Sequence, residues 1–343
     1  MAPTSIPDWN TGLNPAVQRR IREALTHGHP HVLPLWEHIS HPGLYYRYKK
    51  AGDSPLNTAT RMYHDLGVDI CRGYSVPSDG EGAPQAKNGL TVAELRGELD
   101  GKERDWDAFI DELAPQYSRV RDAFAPRTLY VPSGGTGLTD LYVSAGYEQF
   151  CLWLHDHPSL IEDVLERRLR HNLRWTRRVA REELCPVFFL GEDVACRDRL
   201  LFSPDWLRRH FIPALERLIR SLHGANITVI FHSDGDLMDI LDDLVDAGID
   251  GLHPIEPAAG MDLTTVKRRY GDQLVLVGNV DCTHLLPSAS GAEIRDAVRE
   301  CVEIAGKDGG YCLGSSGEIH AGIPIRNVDA YFRACRHCAH DTK

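Results

Sequence analysis

The sequence predicts an α/β protein: a (β/α)8 TIM barrel with an N-terminal helical extension. Two observations carry that prediction. Short apolar runs recur, and each ends at polar or acidic residues. Thr228 to Phe231 runs into His232-Ser233-Asp234-Gly235-Asp236, Val187 to Leu190 into Glu192-Asp193, and Gly251 to Ile255 into Glu256. Leu274 to Val277 leads to Asn279 and Asp281, Tyr311 to Leu313 to Ser315-Ser316-Gly317-Glu318, and Leu129 to Val131 to Ser133. Charged and hydrogen-bonding groups set after the C-terminal ends of successive strands are how such a barrel builds its site. Strand and helix patterns also alternate through the C-terminal half, which argues for a parallel sheet.

Along the chain, residues 15–26 show helical spacing of Val17, Ile21 and Leu25. A short strand is expected at 32–35, delivering Glu37 and His38. Helices follow at 44–50 and 58–66, and a strand at 68–71. The Gly/Pro/charge-rich stretch 77–88 reads as a loop. An amphipathic helix covers 103–125, a strand 129–131, and one or two helices 136–155 after the Gly134-Gly135 turn. Pro158-Ser159 opens a long helix to 183. Strands at 187–190, 228–231, 250–254, 274–278 and 310–313 then alternate with helices at 203–223, 237–247, 262–270, 283–287 with 291–305, and 325–338. Ser203-Pro204-Asp205 is a helix start, an N-cap before proline at the first helical position.

The 343 residues contain no linker-like segment, so residues 1–343 read as a single domain with 1–30 as the extension. Acidic residues outnumber basic ones, 49 to 38, which argues against a nucleic-acid partner. No apolar stretch is long enough for a bilayer, and residues 1–13 lack a signal-peptide core, so a cytoplasmic protein is expected. The nine scattered cysteines read as reduced core thiols. Cys335-Arg336-His337-Cys338-Ala339-His340 reads as a helix end rather than a zinc knuckle, since a matching second pair is missing nearby.

Several residues could carry chemistry. His232 and Asp234, two apart after a strand, point to one side. They fit either a divalent-metal site or a proton-transfer pair, unless Asp234 caps the next helix and His232 packs under the loop. Glu192 and Asp193 could orient a substrate or form a loop salt bridge, and Glu192 is also a candidate catalytic residue that could move protons. Glu256, between Pro254 and Pro257, sits on a stiff backbone that suits a catalytic or a loop-fixing carboxylate. Asn279 could bind substrate, and Asp281 could act in catalysis or cap a helix. Ser315 and Ser316 suit a carboxylate. His320 could be a metal ligand or structural, and Glu37 a substrate contact or part of a solvated loop. No G-x-S-x-G elbow supports a serine hydrolase, and no cysteine is placed as a nucleophile. No dinucleotide or P-loop glycine pattern follows a strand.

Residues of about 180–335 resemble the uroporphyrinogen decarboxylase superfamily, which includes corrinoid- and coenzyme M-linked methyltransferases. The resemblance lies in Gly191-Glu192-Asp193, Phe202-Ser203-Pro204, His232-Ser233-Asp234-Gly235, Ala247 to Ile255, Gly278-Asn279-Val280-Asp281, and the closing glycine-serine loop with Pro324 to Asn327. Arg19 to Arg22 and Asp65 to Asp69 match loosely. The superfamily fold is a (β/α)8 barrel. The R-Q-A-G-R segment of the haem-pathway decarboxylase is missing: Leu35 to Ser40 stands in its place. Where the zinc methyltransferases carry H-x-C, this chain has His232-Ser233-Asp234, and their last-loop cysteine is replaced by Gly314-Ser315-Ser316-Gly317. The resemblance therefore implies a divergent enzyme with a hard-ligand divalent metal, zinc first, on His232, Asp234 and His320. It further implies methyl transfer to a small-molecule substrate, a corrinoid or folate methyl donor, a corrinoid-protein partner and a homodimer. The alternatives are a decarboxylase or lyase of a small acid, and a non-catalytic binding barrel.

Overall fold

The computed structural model describes residue 9 and residues 11–77, 89–101 and 106–340. The loop expected at 77–88 falls, past Pro77, outside the described residues. Eight parallel strand positions form the barrel: β1 (Leu35–Trp36), β2 (Ile70–Cys71), β3 (Leu129–Tyr130 with Ser133–Gly134), β4 (Val187–Gly191), β5 (Thr228–His232), β6 (Gly251–His253), β7 (Val275–Val280) and β8 (Tyr311–Ser315). β3 closes the ring: its first piece pairs with β2 and its second with β4. β1 pairs with both β2 and β8.

The interior is built from large apolar side chains, with Trp36, Phe188, Phe189, Phe231 and Tyr311 fully buried. Amphipathic helices pack outside. Pro158–Arg181 buries Ile161, Val164, Leu169 and Leu173, and the helical stretch ending at His223 buries Leu215, Leu218, Ile219 and Leu222. The N-terminal helix Pro15–Leu25 buries Val17, Ile21, Ala24 and Leu25. Arg20 pairs with Asp69, whose other oxygen accepts the Leu35 amide at 3.0 Å, and Asn14 N–H donates to the Pro126 carbonyl. These contacts all fall at strand starts, so the extension covers the end of the barrel opposite the polar junctions.

The expected elements fall within a few residues of those observed, with three differences. The first strand begins at Leu35 rather than residue 32, because Pro30 and Pro34 interrupt the run. The helix expected at 237–247 is confined to Leu241–Asp246. An additional helix, Val92–Asp100, is opened by a Thr91/Glu94 capping box. All nine cysteines are free, and seven of them are buried. The segment around Cys335 and Cys338 is the end of helix Ile325–Cys338. Among the described residues, no helix is long and apolar enough to cross a membrane.

Candidate active site

The register of β4, β5 and β6 places the central residues. Gly191 is opposite His232, and His232 is opposite His253. In a parallel pair, opposite side chains lie on the same face, so the two imidazoles meet, with their Nδ1 atoms 2.8 Å apart. The His232 ring also stacks on Phe189, with centroids 5.3 Å apart. Thus held, Nε2 of His232 lies 3.5 Å from an Asp193 oxygen and 3.9 Å from an Asp234 oxygen.

Asp193 and Asp234 are set by a small scaffold. The Asp234 amide donates to Asp193 Oδ1 at 3.1 Å, and the Val194 amide to Ser233 Oγ. A two-stranded ribbon, Ala195–Cys196 with Arg199–Leu200, crosses the loop after β5. A Cβ at Gly235 would lie 2.5 Å from the Cys196 nitrogen, and φ there is +89°. Glycine therefore allows the loop and the ribbon to touch.

Glu192 is buried beneath this group. Its carboxylate accepts Thr136 Oγ1 at 2.7 Å and the amides of Gly137 and Thr139 at 2.8 Å each. A Cβ at Gly135 would come within 2.5 Å of the same carboxylate. Thr139 Oγ1 accepts the Asp193 amide, so Glu192 organises the loop that positions Asp193. Burial raises the pKa of Glu192 against these hydrogen bonds.

The electrostatics follow from burial. Desolvation lowers the pKa of His232 to about 4 and that of His253 well below its usual value. Both rings are therefore neutral near pH 7, joined by one N–H···N bond. Desolvation at the mouth, then repulsion from Asp193 and Glu256, raises Asp234 to about 7 although its side chain is half-exposed.

These residues face a cavity of about 530 Å³. Its wall includes Arg72, Ser133, Asp140, Asn172 and Glu318 as well as Phe189, Asp193, His232 and Asp234. The Arg72 guanidinium lies over the Phe189 ring, 4.8 Å from its centroid.

The structure brings together only some of the residues singled out in the sequence. His232, Asp234, Asp193 and Glu192 cluster, and Glu256 joins them from behind, accepting the Gly235 amide at 2.7 Å. The rest are bound elsewhere. Glu37 is buried rather than solvated: it accepts the amide and hydroxyl of Ser315 and the hydroxyl of Tyr331, tying β1 to β8 and the last helix. Asn279 Nδ2 donates to the Ile255 carbonyl, and Asp281 caps the turn at Thr283 and His284. Ser316 is engaged with Cys282. His320 is a correction to the expected ligand set: Nε2 bonds the Cys282 carbonyl and Nδ1 accepts the Gly322 amide. Asp193 stands in its place. Two further residues of the site, Arg72 and His253, were not among the candidates. Arg72 is the polar residue that follows β2, so the junction pattern pointed to it. His253 was hidden inside an apolar run.

Among the described residues, Asp193, His232 and Asp234 form a group of three whose ligand atoms lie within 4.8 Å of one another. Two of its edges, 3.5 and 3.9 Å, suit a small divalent cation. Tetrahedral ligands about 2.1 Å from a metal lie about 3.4 Å apart. One nitrogen and two carboxylates make a hard donor set, and three protein ligands leave a position open to the cavity. The residues present fit such an ion.

A parallel eight-stranded barrel with a His/Asp/Asp cluster at the C-terminal ends of its strands has the layout of a barrel enzyme. The family model for uroporphyrinogen decarboxylase (URO-D) matches residues 135–338, and the chain belongs to that family. A methylated-thiol–coenzyme M methyltransferase of Methanosarcina mazei is 26% identical over 153 residues, covering 44% of this chain and 37% of that protein. The alignment thus spans little more than a third of that relative. A solved methyltransferase from Methanosarcina mazei superposes with a TM-score of 0.68 at 19% identity, over 94% of this chain and 98% of the other. That likeness shows the shared barrel fold.

Proposed function

We propose that this chain is a methyltransferase-type enzyme that works on a small substrate in the cavity above β2 to β5. The observation that carries the reading is the convergence of His232, Asp193 and Asp234 on one point at the cavity wall. Its methyltransferase relative supports the reaction class. These three side chains would hold a divalent cation, zinc or a harder ion, which when bound supplies Lewis acidity to an oxygen or sulfur of the substrate.

The protein's own groups supply the rest. His253 fixes the orientation of His232 through the Nδ1–Nδ1 contact. Glu192 holds the loop behind Asp193. With Asp234 occupied as a ligand, the proton released when an acceptor hydroxyl or thiol is methylated would pass to water in the open cavity. Glu256 holds the Asp234-Gly235 turn through the Gly235 amide. The methyl group would come from a corrinoid-bearing partner or a folate.

The test supplies methylcobalamin or methyltetrahydrofolate with a panel of small thiols and hydroxyl compounds and follows loss of the donor. Donor consumption by the wild type that disappears in His232→Ala supports methyl transfer. Release of CO2 from a small acid with no donor consumed would replace it with the lyase reading, which the raised pKa of Asp234 favours.

A further inference from the structure

Arg72 follows β2 directly, and its turn is fixed. The Tyr63 hydroxyl donates to the Gly73 carbonyl at 3.0 Å and accepts the Ile39 amide at 2.9 Å. Phe189 lies beneath the guanidinium, and the same ring stacks on His232. One aromatic side chain thus sets the spacing between a cation and the His/Asp/Asp centre. Arg72 is half-buried, and desolvation lowers its pKa. Among the described residues it makes no ion pair and no hydrogen bond. Asp193, Asp234 and Glu318 bear on it electrostatically without being bonded to it, and all of them line the same cavity.

A guanidinium carries five N–H donors, and an aromatic face satisfies none of them as an acceptor oxygen would. These donors open on the cavity, where water or a ligand must satisfy them. The planar fork matches an oxyanion in two-point contact. We infer that Arg72 anchors an anionic group of the substrate, a carboxylate or sulfonate, and so fixes which end of the molecule meets the His232–Asp193–Asp234 centre. The inference rests on the cavity being the active site and deepens the proposed function by naming the substrate class. Asp193, Asp234 and Glu318 are carboxylates, so Arg72 is the cationic side chain among the residues lining this cavity.

The test measures binding without any methyl donor, by ligand-observed NMR on the full chain, for wild type, Arg72→Lys and Arg72→Gln. The probes are benzoate, benzenesulfonate and neutral benzamide. Wild type is expected to prefer at least one anion over benzamide, and the two anion arms show which oxyanion fits. Arg72→Gln should weaken that anion roughly ten- to a hundredfold and leave benzamide unchanged. Arg72→Lys, which keeps the charge but loses the fork, should fall between. A wild type that binds neither anion, or binds benzamide equally well, overturns the inference. So does an Arg72→Lys protein that behaves as wild type, because the charge alone would then suffice. Anion preference retained in Arg72→Gln overturns it as well. Since no turnover is read, loss of methyl transfer with intact anion preference would count against the methyl-transfer reading alone.

Discussion

His232 and His253 stand opposite each other in neighbouring parallel strands, with their Nδ1 atoms 2.8 Å apart. Both rings are buried and neutral, so the contact holds a single proton. The bond turns Nε2 of His232 towards Asp193 and Asp234. Removing it in His253→Leu should free the His232 ring and lower zinc affinity roughly ten- to a hundredfold. Titration against a competing chelator measures this, and unchanged affinity would contradict the orienting role.

Glu192 satisfies three donors of the loop after β3. Glu192→Ala should therefore cost about 3–5 kcal/mol of stability, since buried donors lose their acceptor. Glu192→Gln should cost less. Urea unfolding midpoints report the difference. A Glu192→Ala protein as stable as wild type would show that the loop has another anchor.

Gly235 lies under the ribbon with a positive φ and no room for a Cβ. Gly235→Ala should destabilise the protein by about 2–4 kcal/mol and weaken metal binding, because Asp234 shifts with the loop. Thermal melts and the same chelator titration check both effects.

Burial raises Glu37 from 4.5 to about 7. Between those values the native protein keeps a proton that the unfolded chain has lost. Stability from this group is therefore present at low pH and falls as pH rises through the window. The full loss above about 7 is on the order of 3 kcal/mol. Glu37→Gln lacks this titration while keeping all others, so the stability difference, wild type minus variant, should fall with rising pH. Denaturation curves at several pH values measure it, and parallel curves would contradict the burial argument.

The barrel was legible because its signal is local: an apolar run, a polar junction, a helix. His232, Asp234 and Asp193 were legible for the same reason. Asn279, Asp281, Ser315 and Ser316 follow strands just as they do, yet their partners are Ile255, the Thr283 turn, Glu37 and Cys282. Whether a polar group after a strand faces the cavity or a neighbouring loop depends on register and on contacts distant in sequence, which spacing does not encode. His253 shows the converse. Its position in an apolar run reflects true burial, and only the pairing of β5 with β6 shows that it touches His232. Arg72 follows a strand whose paired part is only two residues long, so the junction was easy to pass over.

The most direct test is metal content by mass spectrometry, on protein purified without a histidine tag, for wild type and His232→Ala. The proposed centre predicts near-stoichiometric divalent metal in the wild type and its loss in the variant, with the fold retained by circular dichroism. Wild-type protein that is metal-free, and stays so after incubation with zinc, manganese or iron, would contradict the metal centre.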